Sequence, residues 1–240
     1  MDEKRDVKFY FERSEERLKN GQIGGGLADL DYAIRLDPNF LEGYRRRAEF
    51  RYDGKEYQLA IEDLTKIIEL SDDIDEIADC RKKRAICYEH VGLYWELVKD
   101  LDWLIENGFG TVTRYDWRGL HKFRAGDFEA AIRDFSEAYK MSPDISTYLL
   151  QRGYSYYYAH RYEEAIQDFN TILESYESHP LFLRAVYIWR GRTYFKMGEH
   201  DKALKDFNEE LRLIGNEPFS SALAYMQQHH PQDLVDDKPS

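Results

Sequence analysis

Small and large apolar residues recur along this chain in columns that repeat about every 34 residues. The first column holds small or aliphatic residues at Gly26, Ala60, Leu97, Ala131, Ala165 and Ala203. The second lies four residues later and holds large residues at Leu30, Leu64, Leu101, Phe135, Phe169 and Phe207. The third holds small residues at Ser14, Ala48, Ala85, Gly119, Gly153 and Gly191. All three columns share the spacings 34, 37, 34, 34 and 38. Because residues four apart share one helix face, the pattern predicts six helix–turn–helix units.

Turn-forming residues separate the two helices of five units, at Asn20-Gly21, Asp53-Gly54, Gly92, Ala125-Gly126-Asp127 and Met197-Gly198-Glu199. Proline cannot continue a helix interior, so Pro38, Pro143 and Pro180 are expected between units. The predicted helix pairs cover residues 5–20 and 23–36, 41–53 and 56–70, 74–91 and 94–106, 112–125 and 128–141, 146–159 and 162–176, and 181–197 and 200–213.

These columns closely resemble the tetratricopeptide repeat family over roughly residues 7–217. The resemblance is carried by Arg118-Gly119, residues 126–132 and Pro143 in the fourth unit, and by Arg152-Gly153 and Tyr162 in the fifth. It implies an all-α fold, a right-handed superhelical solenoid of about six helix–turn–helix repeats whose concave groove is lined by the first helix of each unit.

We predict a single solenoid over residues 1–228. Its repeats are placed at 7–40, 41–74, 78–111, 112–145, 146–179 and 184–217. A solenoid end needs an element that covers its last apolar face, and a capping helix is predicted within 218–228. Residues 229–240 are expected to be a disordered tail.

Two polar columns are uniform in all six units. One is arginine, at Arg13, Arg47, Arg84, Arg118, Arg152 and Arg190. The other is aspartate, at Asp29, Asp63, Asp100, Asp134, Asp168 and Asp206. Each arginine precedes a small packing residue and each aspartate precedes a large one, so both lie beside buried faces. The guanidinium fork can bind a carboxylate twice, which predicts a structural ladder of Arg–Asp pairs. The alternatives are two solvated helix faces, or arginines that bind a ligand. Each pair could form within one unit or with the preceding unit.

The resemblance also places exposed first-helix residues of the last three units in the groove. These candidate peptide-binding residues are Phe123, Arg124, Tyr154, Tyr157, Tyr158, Arg192, Phe195 and Lys196. Tyrosine and arginine are enriched at binding hot spots, so we expect a docked peptide that carries acidic and apolar residues. The alternative is that the aromatic residues only pack the interior. Within the run at 154–158 one side chain must be core, and Tyr156 is assigned to it.

Net charge narrows the range of partners. The chain has 46 acidic and 34 basic residues, a formal net charge of −12. Such a surface repels nucleic acid phosphates and anionic membranes, so neither is expected as a partner. The charged N-terminus is followed by no apolar stretch, so we expect no signal peptide, no membrane span and a cytoplasmic location.

Candidate chemistry is sparse. Cys80 and Cys87 lie about 10 Å apart along one predicted helix, which is too far for a disulfide, so reduced buried thiols are expected. The histidines form no pair four residues apart of the kind that binds a metal on a helix. Gly24-Gly25-Gly26 is followed by no Gly-Lys-Ser/Thr and is not a phosphate loop. No catalytic residue, metal or cofactor is expected.

The sequence therefore predicts a non-catalytic scaffold or adaptor that binds a partner protein or peptide. The alternatives are a solenoid that associates with itself, or a regulatory subunit of an enzyme complex. Some members of the family hold acidic chaperone tails through lysine and asparagine at fixed first-helix positions. Here Phe11, Glu15 and Arg46 stand at those positions, so that interaction is not expected.

Overall fold

The computed structural model describes residues 6–175 and 179–234, which form α-helices joined by short turns, with no strand among them. The chain divides into two compact units, Met1–Gly110 and Thr111–Ser240. Within the described ranges, no helix combines the length and apolar character needed to cross a membrane.

The first unit contains three antiparallel helix pairs in the described residues. Its helices are α1 (Val7–Lys19), α2 (Ile23–Leu36), α3 (Leu41–Asp53), α4 (Tyr57–Leu70), α5 (Ile74–Val91) and α6 (Tyr94–Leu104). After α6 a single π-type turn covers Ile105–Phe109, where Gly108 takes a left-handed φ of +87° and the helix ends. The sequence placed the end of α6 at residue 106, inside this turn.

The second unit repeats the arrangement and adds a C-terminal element. Its helices are α7 (Val112–Arg124), α8 (Phe128–Met141), α9 (Ser146–Tyr158), α10 (Tyr162–Glu174), α11 (Pro180–Lys196), α12 (His200–Leu213) and α13 (Ala222–His229). The end of every described helix up to α12 lies within one turn of its predicted position. The continuous right-handed superhelix stays a prediction.

Size complementarity between the columns sets the packing inside each pair. Where the third column holds glycine, the facing residue is phenylalanine: an added Cβ on Gly153 would lie 2.5 Å from Phe169 Cε1. Where it holds Ala48 or Ala85, the column of large residues holds leucine, and these alanines are 3% and 0% exposed. Close packing to interior density requires this matching of volumes between the two helices.

The turns between paired helices share one backbone feature. In each the residue two before the next helix takes a positive φ, at Gly21, Lys55, Gly92, Gly126, His160 and Gly198. Glycine adopts this left-handed conformation without steric cost, whereas Lys55 and His160 do so with a Cβ present. In the turn between α3 and α4 the left-handed residue is Lys55 and not its neighbour Gly54.

The C-terminal prediction is wrong for residues 229–234. The structure extends α13 to His229 and adds a 3-10 turn over Pro231–Leu234, with Asp233 only 5% exposed. Asn208 on α12 holds the segment that leads into α13, since its side chain donates to the carbonyl of Phe219 and accepts from the amide of Phe219. This stretch is ordered because the carboxylate of Asp233 pairs with a buried cation, the guanidinium of Arg192. Residues 235–240, which belong to the same predicted tail, lie outside the described residues.

Candidate peptide-binding site

The ladder arginines each meet the aspartate of their own helix pair. Arg152 Nε donates to Asp168 Oδ2 at 2.8 Å and its NH2 group donates to Asp168 Oδ1 at 2.6 Å. The same two-point contact joins Arg13 to Asp29, Arg47 to Asp63, Arg84 to Asp100, Arg118 to Asp134 and Arg190 to Asp206. The carboxylates are nearly fully buried, which rules out two solvated faces.

In four of the ladder arginines the remaining guanidinium nitrogen reaches the preceding helix pair of the same unit. Arg152 NH1 donates to Ser136 Oγ at 3.2 Å, and Arg190 NH1 donates to Asn170 Oδ1 at 2.6 Å. In the first unit, NH1 of Arg47 and of Arg84 makes the equivalent bond to Asp31 and to Thr65. Each acceptor stands two residues after the ladder aspartate of the preceding helix pair. Each of these four arginines therefore links two neighbouring repeats, while its carboxylate partner lies in its own repeat.

Burial offsets part of the attraction in two pairs of this ladder, Arg152–Asp168 and Arg190–Asp206. The hydrogen bond to Asp168 raises the pKa of Arg152, against the opposing effect of burial. Desolvation nevertheless raises the pKa of Asp168, because it outweighs the bond from Arg152. The same balance raises the pKa of Asp206 beside Arg190. We therefore expect a buried pair of this kind to serve the register of the helices more than their stability.

An aromatic cluster, formed by Phe123, Tyr154, Tyr157, Tyr158 and Trp189, joins α7, α9 and α11. The Trp189 ring centroid lies 4.6 Å from that of Tyr154, 5.3 Å from that of Tyr157 and 5.8 Å from that of Tyr158. Phe123 extends the cluster to α7 through an edge contact with Tyr158, at 5.5 Å. Since these are the first helices of three consecutive pairs, the cluster is one surface spanning three repeats.

Arg192 supplies the cationic end of this surface. Its guanidinium carbon lies 4.2 Å from the Trp189 ring centroid, within range for a cation–π interaction. Its NH2 group donates to the carboxylate of Asp233, and the two side chains are 11% and 6% exposed. Next to this pair, the Nδ1 atom of His230 lies 3.7 Å from Asp233 Oδ2. The site thus holds one carboxylate beside an aromatic platform.

The predicted groove residues are brought to one region of the second unit, with corrections. Tyr157 is 2% exposed, so it belongs to the core, whereas Tyr156 is half-buried and covers Arg161, with 4.7 Å between the guanidinium carbon and the ring centroid. The assignment of Tyr156 to the core was therefore wrong. Side chains of adjacent helical residues point about 100° apart. Tyr157, three residues after Tyr154, shares its helix face and contacts Trp189.

The other candidates fall at different depths. Arg192, predicted to be exposed, is 9% exposed because Asp233 covers it. Arg124 is exposed at the end of α7, while Phe195 is half-buried against His200, with ring centroids 4.9 Å apart. Lys196 is half-buried at the last residue of α11.

Sequence reasoning missed Trp189, Asp233 and His230. Trp189 stands three residues before Arg192, the spacing that places two side chains on one helix face, and this signal could have found it. Asp233 and His230 lie in a polar stretch without helical periodicity, which offered no such signal.

The first-helix surface of the first unit has a different character. Arg46 pairs with Glu15 at 2.8 Å and Glu49 at 2.6 Å. Arg45 bridges Glu42 and Glu76 in the same way, beside a cavity of about 460 Å³. These charges pair with one another across α1, α3 and α5. The guanidinium carbon of Arg46 also lies 4.9 Å from the Phe50 ring centroid, so its charge is shared between two carboxylates and one aromatic ring.

The periodic pairing seen in both units is matched by a family of known repeats. The sequence model of the tetratricopeptide repeat matches residues 11–73, 118–180 and 150–218. The chain belongs to the tetratricopeptide repeat family. The helix pairs within the matched ranges are tetratricopeptide repeats.

Relatives of this tetratricopeptide repeat protein include parts of larger proteins. Hsp70-Hsp90 organizing protein 2 of Arabidopsis thaliana is 34% identical over 79 residues, which is 33% of this chain and 14% of the relative. DnaJ homolog subfamily C member 3 of Bos taurus is 23% identical over 186 residues, 69% of this chain and 36% of the relative. The chain thus spans well under half the length of either relative.

Among solved structures, YrrB is described as a TPR protein with an unusual peptide-binding site. It superposes with a TM-score of 0.61 at 16% identity, covering 85% of this chain and 95% of that chain. At this identity the likeness shows the fold alone.

Proposed function

We propose that this tetratricopeptide repeat protein is a non-catalytic adaptor whose second unit binds an extended peptide carrying acidic and apolar residues. Membership of the family and the likeness to Hsp-organizing proteins support a role in protein–protein interaction. The binding surface proposed is the aromatic cluster with Arg192 at its end.

One observation carries the proposal: Arg192, whose guanidinium lies over the ring of Trp189, already binds the carboxylate of Asp233. A guanidinium that is already held on a ring loses little further conformational freedom when a ligand binds. The donor for an incoming carboxylate is therefore pre-organised. Tyr154 and Tyr158 are half-buried beside it and offer large contact area with few rotatable bonds. Apolar side chains of the peptide are expected to pack on these rings.

The test is a selection of random 12-residue peptides displayed on phage against the intact protein. The proposal predicts enrichment of Asp or Glu next to Leu, Phe or Trp. Enriched peptides should bind Arg192→Gln more weakly by about 2 kcal/mol, some 30-fold, as expected for a buried hot-spot arginine.

Arg212→Gln is the matched control, because Arg212 lies on α12 with a side chain that is 65% exposed. It should bind every selected peptide with unchanged affinity. Peptides that bind Arg192→Gln as tightly as the unsubstituted protein would place the binding surface elsewhere and contradict the proposal.

A further inference from the structure

Residues 230–234, the C-terminal segment, lie against the proposed binding site. The segment forms a tight turn in which the amide of Asp233 donates to the carbonyl of His230 at 3.0 Å. This turn directs the Asp233 side chain inward to Arg192 while Pro231, Gln232 and Leu234 stay exposed. One side chain of the segment therefore occupies the cationic end of the site.

The helix that precedes the segment is anchored independently of Arg192. Tyr225 on α13 stacks on Phe207, with ring centroids 4.4 Å apart, and its hydroxyl donates to Glu210 Oε2 at 2.8 Å. Glu210 is 1% exposed and also accepts from Arg184 Nε at 2.6 Å. Met226 is fully buried in the same cluster. The segment can therefore leave Arg192 without removing α13 from the end of the unit.

We propose that the C-terminal segment is a tethered occupant of the Arg192 site, which an acidic partner peptide must displace. This inference rests on the proposed function, because it takes the same surface as the binding site. It also specifies the charged part of the ligand, an aspartate that occupies the position of Asp233.

The tether explains why a single ion pair is enough to hold the segment. Only three residues separate the end of α13 at His229 from Asp233, and a short tether gives a local concentration in the millimolar range. A competing peptide sees only the fraction of molecules whose site is open, so its apparent dissociation constant is the intrinsic constant divided by that fraction. Releasing the segment should raise the apparent affinity without changing the site.

The experiment measures fluorescence anisotropy of a fluorescein-labelled peptide with the sequence of residues 229–240. It is titrated with the full chain, with Asp233→Asn and with Asp233→Asn combined with Arg192→Gln. The expected result is at least about tenfold tighter binding to Asp233→Asn than to the unsubstituted chain, as for a site that is open in a tenth or less of the molecules. Adding Arg192→Gln should abolish this gain.

Two controls keep the result specific. Asp201→Asn removes an exposed aspartate from the first turn of α12 and should leave the affinity unchanged. The same labelled peptide with asparagine at the position of Asp233 should bind Asp233→Asn at least tenfold more weakly. Far-UV circular dichroism of each variant establishes that the helices are retained.

Three results would overturn the inference. Equal binding to the unsubstituted chain and to Asp233→Asn would mean that the segment does not compete, while the phage-selected peptides could still bind at Arg192. No binding of the segment peptide to either protein would mean that it is not a ligand, again leaving the phage selection to decide the proposed function. A dimer of the unsubstituted chain in sedimentation that Asp233→Asn dissociates would assign the contact to a second copy.

Discussion

Gly153 on α9 faces the ring of Phe169 on α10 so closely that a Cβ at position 153 would lie 2.5 Å from Cε1 and 2.9 Å from Cζ. Phe169 is fully buried and cannot move aside without disturbing its neighbours. Gly153→Ala is therefore expected to cost about 1–3 kcal/mol in the free energy of unfolding, as overpacked cores do. Urea denaturation of the full chain followed by circular dichroism measures this cost.

The chain itself contains the control for that prediction. In the second and third repeats alanine at the equivalent position, Ala48 or Ala85, accompanies leucine in the facing column. Gly153→Ala combined with Phe169→Leu should therefore be more stable than the sum of the two single changes by at least about 1 kcal/mol. Additive effects would show that the two positions do not constrain each other.

Removing one partner from a ladder pair should be more harmful than removing both. Arg152→Met leaves the carboxylate of Asp168 buried without its main donor, at an expected cost of about 3–5 kcal/mol. Arg152→Met combined with Asp168→Leu replaces the pair with apolar groups and should cost less than the single change. A double variant that is less stable than Arg152→Met would contradict the conclusion that the pair serves register more than stability.

The cost of Arg152→Met should also depend on pH. Burial raises the pKa of Asp168, so the native state binds the proton more tightly than the unfolded chain, whose aspartates titrate near about 3.9. The stability gained from this proton is fully present below the unfolded value and is lost as pH rises through the native value. Without Arg152 the pKa rises further, so the destabilisation should be larger at pH 7.5 than at pH 5. An equal destabilisation at pH 7.5 and at pH 5 would show that Asp168 is not the buried carboxylate that loses its partner in Arg152→Met.

His230 reports whether the C-terminal segment is docked. Burial and then Arg192 lower its pKa, while Asp233 raises it and His229 and Glu210 act in opposite directions. We expect a titration midpoint below the ordinary histidine value of about 6.5, observed by NMR at the His230 Cε1 proton. Because the pKa of His230 is lower in the docked state, its contribution to docking is complete above about pH 6.5. That contribution is lost as pH falls from there through the lower pKa of the docked state.

Asp233→Asn separates two outcomes for this histidine. If the segment leaves the site, the effects of burial and of Arg192 are lost and the midpoint of His230 should rise toward about 6.5. If the segment stays docked, only the favourable carboxylate is lost and the midpoint should fall further. The tethered-occupant account predicts the rise.

Lys55 offers a test of the inter-helix turns. Its φ of +60° falls where four of the five equivalent turns have glycine. A left-handed residue with a Cβ costs about 1–2 kcal/mol, against about 0.5–1 kcal/mol for the extra freedom of glycine in the unfolded chain. Lys55→Gly should therefore raise the free energy of unfolding by about 0.5–1 kcal/mol. A loss of stability would mean that the Lys55 side chain contributes more than its backbone strain.

The repeats could be predicted from the sequence because each column carries its own physical constraint. Gly153 and Phe169 must fit in size, and Arg152 and Asp168 must pair in charge, so both the register and the helix ends follow from their spacing. The partner of the third guanidinium nitrogen could not be read, since Ser136, Thr65 and Asn170 differ in kind from one repeat to the next.

The candidate site could be predicted only in part. Arg192 and Tyr158 both contact Trp189, in keeping with their first-helix columns, while their role in binding stays a prediction. The exchange of Tyr156 and Tyr157 arose because two adjacent tyrosines satisfy the same local pattern, and only the position of Trp189 decides which is buried. Asp233 could not be foreseen, because its burial depends on a long-range ion pair 41 residues away in sequence.

The central claim is that Trp189 and Arg192 form the surface that receives an acidic and apolar peptide. The most direct measurement is a set of intermolecular NOEs in the Asp233→Asn variant, between the leucine methyl protons of a bound Asp-Leu peptide and the protein. The account predicts contacts to the indole ring of Trp189 and to the ring of Tyr158. NOEs from the bound peptide to Phe11 or Tyr52 of the first unit, with none to Trp189, would contradict it.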